Sequence, residues 1–354
     1  MRILERARAL GFVAWDSVRG SPVERQMAEV ERAQHMGPDE RLSWQREALA
    51  AVLRHARDTA PFYRDLIPRR VDADNAPAVL ARLPIVAKHA MKNRLGDFLS
   101  SAFRRDALWE GHTNGSTGAP FAFFADRHRR DRVRAETLVF GRWAGYRVGE
   151  PHAFLRLLYW HPKSRARLFL ENQLVLEPRD LGTTEIDRLL GRVARSKAVA
   201  LIGYPSVLEL LARRRQEAGG PSLSLRSVVS IGEVLLPQHR EAIERAFGCP
   251  VFERYSATEV GYIAHDCEEH RLHVNVGSLW LELLPPSPDA AEAPTAERRV
   301  IVTDLFNYGM PFLRYELADR VVPGEGHCPC GRTSPFLRAV HGRVSDRITL
   351  PNGH

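Results

Sequence analysis

The sequence lacks any apolar run near the roughly 18 residues that a membrane-spanning helix needs. Its N-terminal stretch, MRILERARALGFVAWDSVRG, has only a short apolar patch interrupted by Arg and Glu, and no cleavage-like site follows. This pattern predicts an amphipathic helix rather than a signal peptide. We therefore expect a cytoplasmic protein with no membrane partner.

Lysine is almost absent from a chain whose formal net charge is +8, since Lys88, Lys92, Lys163 and Lys197 are its only lysines. The positive charge is nearly all arginine and is scattered along the sequence. Its densest cluster, DRHRRDRVRAE (126–136), is interrupted by acids and predicts a single solvated helix face. We expect no nucleic-acid partner, and we interpret the basic surface as one that attracts a nucleotide or another acidic substrate.

Short apolar runs alternate with helical stretches from about residue 150 onward. AVALIGY (198–204) and LRSVVSIGE (225–233) predict buried strands, and a helix that starts at Pro205 separates them. Such alternation predicts an α/β protein with a largely parallel sheet. After residue 270, SLWLELL and RRVIVTDL predict a hairpin around an exposed Pro/Ala/acid loop, so a smaller β-rich part follows.

Three segments could carry chemistry. GHTNGSTGAPFAFFADR (111–127) lacks the Gly-Lys-Ser/Thr ending of a Walker loop, but its glycines and hydroxyls could form a phosphate nest. RYSATEVG (254–261) places a hydroxyl and a carboxylate where a strand ends, which suits ligand and Mg²⁺ binding. Taken alone, the first could be a plain turn and the second a capped helix start. The third, MPFLRYELADR (310–320) with GRVSDR (342–347), is uninformative alone.

Together, these segments resemble the phenylacetate–CoA ligase family of adenylate-forming enzymes, most closely its CapK-like branch. TNGSTGAP is similar to the family's phosphate loop, and YSATE to its Tyr-Gly-x-Thr-Glu motif. MPFLRYELADR and GRVSDR resemble its Met-Pro-x-x-Arg-Tyr…Asp and hinge segments. APFYR (60–64) and LPIVAKHAMKN (83–93) resemble its N-terminal part. The resemblance spans nearly the whole chain.

The resemblance implies an α/β fold, the large N-terminal domain of an ANL-type adenylate-forming enzyme, with layered, mostly parallel sheets. It divides the chain into an N-terminal helical region (1–110), a nucleotide-binding α/β core (111–270), a β-rich subdomain (271–345) and the start of a hinge (346–354). The family's C-terminal lid, with its catalytic lysine, would be absent, through truncation or because a partner supplies it. The chain alone should then bind nucleotide but adenylate poorly.

The implied reaction is ATP- and Mg²⁺-dependent activation of an aryl or acyl carboxylic acid as acyl-AMP. The acyl group then passes to CoA, an amine or a carrier protein. The alternative is a non-catalytic relative that binds a nucleotide or recruits a partner. The sequence does not decide between a monomer and a homodimer.

The resemblance also assigns roles to single residues. Thr258 would contact the α-phosphate, Glu259 would bind Mg²⁺, and Arg343 would contact ribose or phosphate. Ala119 stands where many relatives carry a loop lysine, which removes one phosphate contact. The expected nucleotide-binding residues are Thr113, Ser116, Thr117, Gly118, Gly232, Glu233, Tyr255, Ser256 and Asp319. Those expected to bind the acid are Tyr204, Gly232 and Ala257, and Asp346 would be the hinge.

The four cysteines are Cys249, Cys267, Cys328 and Cys330. A structural disulfide is not expected in a cytoplasmic protein, which leaves metal binding or burial as reduced thiols. HDCEEHRLHV (265–274) and HCPCGR (327–332) resemble paired segments of the family. They imply a structural zinc site of Cys267, Cys328, Cys330 and a fourth ligand, for which His273 is preferred over Cys249 and His265.

Overall fold

A computed structural model describes residues 3–113, 121–156, 163–286 and 296–343. The chain forms two compact units. The first unit comprises Met1–Met27, Ala135–Ser256 and His265–Leu272, and the second comprises Ala28–Arg134, Ala257–Ala264 and His273–His354. Over the described residues, none of the helices is both long and apolar enough to cross a membrane.

The helices follow the spacing of apolar residues and the placement of proline and glycine. α11 shows the pattern, because Pro237 occupies its first turn and Gly248 ends it in the left-handed conformation. The helices are α1 (Ile3–Val18), α2 (Val23–His35), α3 (Pro38–Thr59), α4 (Ala76–Arg82), α5 (Lys88–Asn93), α6 (Leu95–Phe98), α7 (Arg127–Trp143), α8 (Arg165–Glu171), α9 (Thr183–Ser196), α10 (Pro205–Ala218) and α11 (Pro237–Phe247).

The strands are short in the N-terminal part and longer after residue 250. They are β1 (Val86–Ala87), β2 (Trp109–His112), β3 (Ala122–Ala125), β4 (His152–Leu155), β5 (Gln173–Leu176), β6 (Ala200–Gly203), β7 (Ser227–Ile231), β8 (Val251–Ala257), β9 (Gly261–Asp266), β10 (Leu272–Val274), β11 (Leu279–Leu284), β12 (Arg298–Asp304), β13 (Tyr315–Pro323) and β14 (Phe336–Arg343).

The first unit is built on a parallel sheet in the order β5-β4-β6-β7-β8. Alternate residues of its strands enter different cores. Leu201 and Val228 join the cluster that includes residues of α9, α10 and α11. Their neighbours Ile202 and Val229 pack in another cluster with Tyr146. Because both faces of the sheet are buried, the sequences of these strands are continuous apolar runs. The predicted parallel α/β core is confirmed.

The second unit contains the strand order β11-β12-β13-β14-β10-β9, and its longest strands pair antiparallel. β11 and β12 form the predicted hairpin, with Leu279 opposite Asp304. β1 adds to β13 in parallel, with Val86 opposite Tyr315. β2 and β3 form a separate two-stranded sheet.

The prediction of a solvated face for residues 126–136 is wrong. Arg129 and Arg132 on α7 are 2% and 0% exposed. Arg129 pairs with the buried Asp304, and the Arg132 guanidinium lies 3.9 Å from the ring centroid of Phe306. Alternating charges are typical of a surface helix, but here two arginines satisfy buried acceptors that are remote in sequence. Arg127 on the same helix is 64% exposed at its side chain.

Candidate nucleotide site

The glycine-rich loop connects the ends of a β-hairpin. β2 and β3 pair from Trp109–Ala125 to His112–Ala122. Beyond them, the Thr113 amide donates to the Phe121 carbonyl at 3.0 Å, and the Thr113 hydroxyl accepts from the Phe121 amide at 3.4 Å. Thr113 therefore fixes the two ends of the loop. The predicted phosphate ligands Ser116, Thr117 and Gly118 lie outside the described residues.

The turn after β8 carries the predicted α-phosphate and magnesium ligands. Tyr255 and Ser256 belong to the last part of the strand, and Thr258 and Glu259 follow in a turn that leads into β9. The alternative interpretation of this segment as a helix start is therefore excluded. The turn exposes Thr258, whereas Glu259 is only 9% exposed. A hydroxyl and a carboxylate thus follow the carboxyl end of a strand, where α/β proteins bind ligands.

Two side chains lie against the Glu259 carboxylate. The Tyr315 hydroxyl donates to Glu259 Oε1 at 3.1 Å, and Lys88 Nζ lies 4.0 Å from the same oxygen. Burying a carboxylate costs free energy unless a hydrogen-bond donor or a counter-charge lies against it. Tyr315 and Lys88 supply such partners to the Glu259 carboxylate.

Backbone pairing places Lys88 near this turn. Val86 donates its amide to the Arg314 carbonyl at 2.9 Å, and β1 then pairs with the start of β13. Arg314 adds hydrogen bonds from its guanidinium to the carbonyls of Ala81 and Leu83. Lys88 follows β1 directly as the first residue of α5. The segments LPIVAK and MPFLRY were noted in the sequence, but no role was predicted for Lys88 or Tyr315.

Asp319 and Arg343 are brought together through their backbones. They are register partners on the antiparallel strands β13 and β14. β13 is irregular next to Asp319, because Ala318 takes a positive φ of 63° and the pairing with β12 shifts between Arg299 and Ile301. A bulge of this kind redirects the side chains beside it. The roles predicted for Asp319 at the ribose and for Arg343 at ribose or phosphate stay predictions.

The first unit holds a separate group of predicted ligands at the carboxyl ends of β6 and β7. Gly232 has a φ of +75°, and a Cβ at this position would lie 2.7 Å from a ring carbon of Tyr204. Only glycine lets the Tyr204 ring lie this close. Burial, and then the charge of Glu233, raise the pKa of the Tyr204 hydroxyl.

Glu233 is occupied by a structural contact. Its carboxylate accepts from the Ser206 amide at 3.0 Å and from the Ser206 hydroxyl at 2.9 Å. Ser206 lies in the first turn of α10, where unpaired amides attract a carboxylate. Glu233 thus joins the loop after β7 to α10, and its predicted contact with the nucleotide stays a prediction.

Three of the predicted zinc ligands lie together in the second unit, and Cys267 belongs to the first unit. Within the described part of the chain, ligand atoms of His273, Cys328 and Cys330 all lie within 4.8 Å of one another. Tetrahedral zinc with Zn–S bonds of about 2.3 Å would hold sulfur atoms roughly 3.8 Å apart. Modest movement would satisfy that geometry. Cys249, the alternative fourth ligand, is a buried thiol in the first unit, where burial and then Glu244 raise its pKa to about 11.

The surroundings of this cluster fit a metal. His273 Nδ1 lies 3.0 Å from the carbonyl oxygen of Ser334, while its Nε2 lies 3.4 Å from Cys330 Sγ. An Nδ1–H donated to that carbonyl would leave the Nε2 lone pair directed toward the sulfur, as a metal-binding histidine requires. The Arg332 amide also lies 3.5 Å from Cys330 Sγ as a donor, which suits a thiolate.

Comparisons with known proteins identify the fold. No family model matches the chain. The sequence is 22% identical to Protein CapK of Staphylococcus aureus over 277 residues, which are 75% of this chain and 60% of that protein. The structure is similar to 2-hydroxyisobutyryl-CoA ligase in the postadenylation state in complex with R3-HIB-AMP, with a TM-score of 0.74 and 20% identity. That match covers 91% of this chain and 71% of the ligase.

The same ligase in complex with 2-HIB-AMP and CoA, in its thioesterification state, gives a TM-score of 0.73 at 20% identity over 91% of this chain and 73% of the ligase. The predicted resemblance to CapK and the predicted α/β fold are thereby confirmed. The chain spans 60% of the length of the curated relative that it matches.

Proposed function

We propose that this chain binds ATP and Mg²⁺ and activates a carboxylic acid as acyl-AMP with release of pyrophosphate. The acyl group would then pass to CoA, or to an amine or carrier protein. The observation that carries the proposal is the Glu259 carboxylate, held by Tyr315 in the turn after β8. The fold is that of a ligase solved with an acyl-AMP and CoA, which supports CoA as acceptor.

In the proposed reaction, a carboxylate oxygen of the acid attacks the α-phosphorus of ATP. The new P–O bond forms as the bond from the α-phosphorus to the bridging oxygen breaks, and pyrophosphate leaves. Positioning and neutralisation of phosphate charge supply most of the acceleration in such a step. Mg²⁺ would neutralise that charge when bound.

The chain's own residues would divide this work. Glu259 would hold the cation. Thr258, which is exposed beside it, would donate a hydrogen bond from its hydroxyl to the α-phosphate. Asp319 would accept hydrogen bonds from the ribose hydroxyls, since one carboxylate can serve both, and Arg343 would contact ribose or phosphate. In the first unit, Tyr204 would line the acid pocket.

The experiment is a titration of the chain with ATP by calorimetry, with and without Mg²⁺, followed by a thermal-shift screen of aryl and alkyl acids. A ligand that binds the native state raises the melting temperature by mass action. We expect ATP binding that depends on Mg²⁺ and a further shift with one class of acid. Glu259→Gln should remove the Mg²⁺ dependence.

The matched control is Glu241→Gln, the same chemical change at a side chain that is 71% exposed on α11. It should leave ATP binding unchanged. A folded wild-type chain that fails to bind ATP would refute the proposal. ATP binding with no further shift from any acid would favour the non-catalytic alternative.

We also propose that Cys267, His273, Cys328 and Cys330 hold a structural Zn²⁺. The His273–Cys330 contact and the buried setting of Cys267 and Cys328 support a closed site. Such zinc would be structural and would take no part in the chemistry. Elemental analysis of the purified chain should find about one zinc per molecule.

Cys330→Ser should lower the zinc content and the melting temperature. Cys249→Ser, which alters a buried thiol outside the cluster, is the control and should retain the metal. Equal zinc content in the wild-type chain and the Cys330→Ser variant would show that the metal, if present, lies elsewhere.

A further inference from the structure

Lys88 lies beside Glu259, the proposed magnesium ligand. Its ammonium nitrogen is 4.0 Å from Glu259 Oε1, an ion-pair distance longer than a direct hydrogen bond. The Lys88 side chain is 32% exposed, whereas that of Glu259 is 7% exposed. The ammonium therefore lies at the solvent edge of a nearly buried carboxylate, where a charged ligand could reach it.

The position of Lys88 is fixed by the backbone around it. β1 ends at Ala87, which is opposite Glu316 on β13, and Lys88 begins α5. Arg314 ties the residues before β1 to the start of β13 through Ala81 and Leu83. Tyr315, which donates to Glu259, is opposite Val86 in the same pairing. The lysine and the tyrosine therefore reach Glu259 through one strand pair.

The negative charge of ATP explains why a lysine ammonium beside Glu259 would help to bind it. The triphosphate of ATP carries about four negative charges at neutral pH, which one Mg²⁺ neutralises only in part. The phosphate loop has Ala119 where a lysine would add another positive charge. An ammonium has three N–H donors, so one lysine can serve a carboxylate and a phosphate oxygen together.

We propose that Lys88 is a phosphate-binding residue, whose ammonium contacts an oxygen of the ATP triphosphate next to the cation held by Glu259. The inference rests on the proposed function, because it requires ATP at this site. Lys88 would thereby supply from α5 a positive charge that the glycine-rich loop lacks. Its long, flexible side chain allows the small movement from Glu259 toward a phosphate.

The test compares the binding of ATP and adenosine to the whole chain by calorimetry in the presence of Mg²⁺. Lys88→Met should weaken ATP binding about tenfold or more, the effect of one lost charge-assisted hydrogen bond. Adenosine binding should change less than about twofold, since adenosine has no phosphate. Lys88→Arg should recover most of the affinity for ATP.

Lys92→Met is the matched control. It removes the same charge one turn further along α5, from an exposed side chain. It should leave ATP affinity within about twofold of the wild-type value. Should Lys88→Met fail to fold by circular dichroism, Lys88→Gln keeps a polar end and serves the same comparison.

The outcomes separate the two proposals. Absence of ATP binding by the folded wild-type chain would remove the proposed function and this inference with it. ATP binding that is equal in the wild-type chain and Lys88→Met would overturn the role of Lys88 alone. Equal losses for ATP and adenosine would also overturn it, because they would indicate a structural role.

Discussion

Replacement of Arg129 by Met should strongly destabilise the second unit. Arg129 Nε donates to Asp304 Oδ2 at 2.5 Å, and the side chains are 2% and 0% exposed. The guanidinium also donates to the Val260 carbonyl. Methionine would fill much of the space but would leave the Asp304 charge without its buried partner. Breaking such a pair costs about 3–5 kcal/mol, a large part of the 5–15 kcal/mol that typically stabilises a fold.

A second substitution isolates the charge. Asp304 Oδ1 accepts from the amides of Phe306 and Asn307, at 2.9 and 3.1 Å. Asp304→Asn keeps an oxygen for these amides and removes the negative charge. In the Arg129→Met background, it should therefore recover about 1–3 kcal/mol, because the unpaired charge is the main penalty.

Urea-induced unfolding, followed by far-UV circular dichroism, gives the free energies of unfolding for this cycle. The control is Arg127→Met, whose side chain on the same helix is 64% exposed and lies 3.9 Å from Asp131. It should cost less than about 1 kcal/mol, as exposed ion pairs do. A loss below about 1 kcal/mol for Arg129→Met, or no recovery in the double variant, would refute the assignment of a buried ion pair.

Two further predictions concern the first unit. Gly232→Ala should displace the Tyr204 ring and cost about 1–3 kcal/mol, whereas Gly248→Ala, at a left-handed φ of +66° with no atom in the way, should cost less. Equal costs in urea unfolding would show that φ alone matters. Burial, and then the charge of Asp266, raise the pKa of Glu253 from 4.5 to about 7. The folded state therefore binds the proton more tightly, and stability conferred by Glu253 at low pH is lost as pH rises from about 4.5 to 7, by up to about 3 kcal/mol. Glu253→Gln should flatten that part of the curve of unfolding free energy against pH, and an unchanged curve would contradict the assignment.

Local patterns in the sequence were sufficient to predict several elements. α10 begins at Pro205, and β6 and β7 follow the predicted apolar runs, because proline and a run of buried residues act within a few positions of the chain. The motif resemblance likewise located the turn that carries Glu259. These features depend on neighbours in sequence.

Contacts between distant segments could not be predicted in this way. The charge pattern of α7 predicted a solvent-exposed helix face. Arg129 is nevertheless buried, because it pairs with Asp304, which lies 175 residues further along the chain. Lys88 gained its position beside Glu259 only through the pairing of β1 with β13. The type of a residue does not reveal which side chain it will contact. The pairing of strands that are remote in sequence decides which charged side chains form ion pairs.

The sequence by itself determined the class of fold, several of its helices and strands and the segments that carry candidate ligands. Periodicity, turn residues and motif spacing are local properties, which the chain expresses before it folds. Tertiary structure decided which side chains are buried and what they contact, including the partners of Glu259 and the orientation of His273 toward Cys330. Desolvation and hydrogen-bond geometry arise only when remote segments come together, and they give these residues the environment on which their proposed chemistry depends.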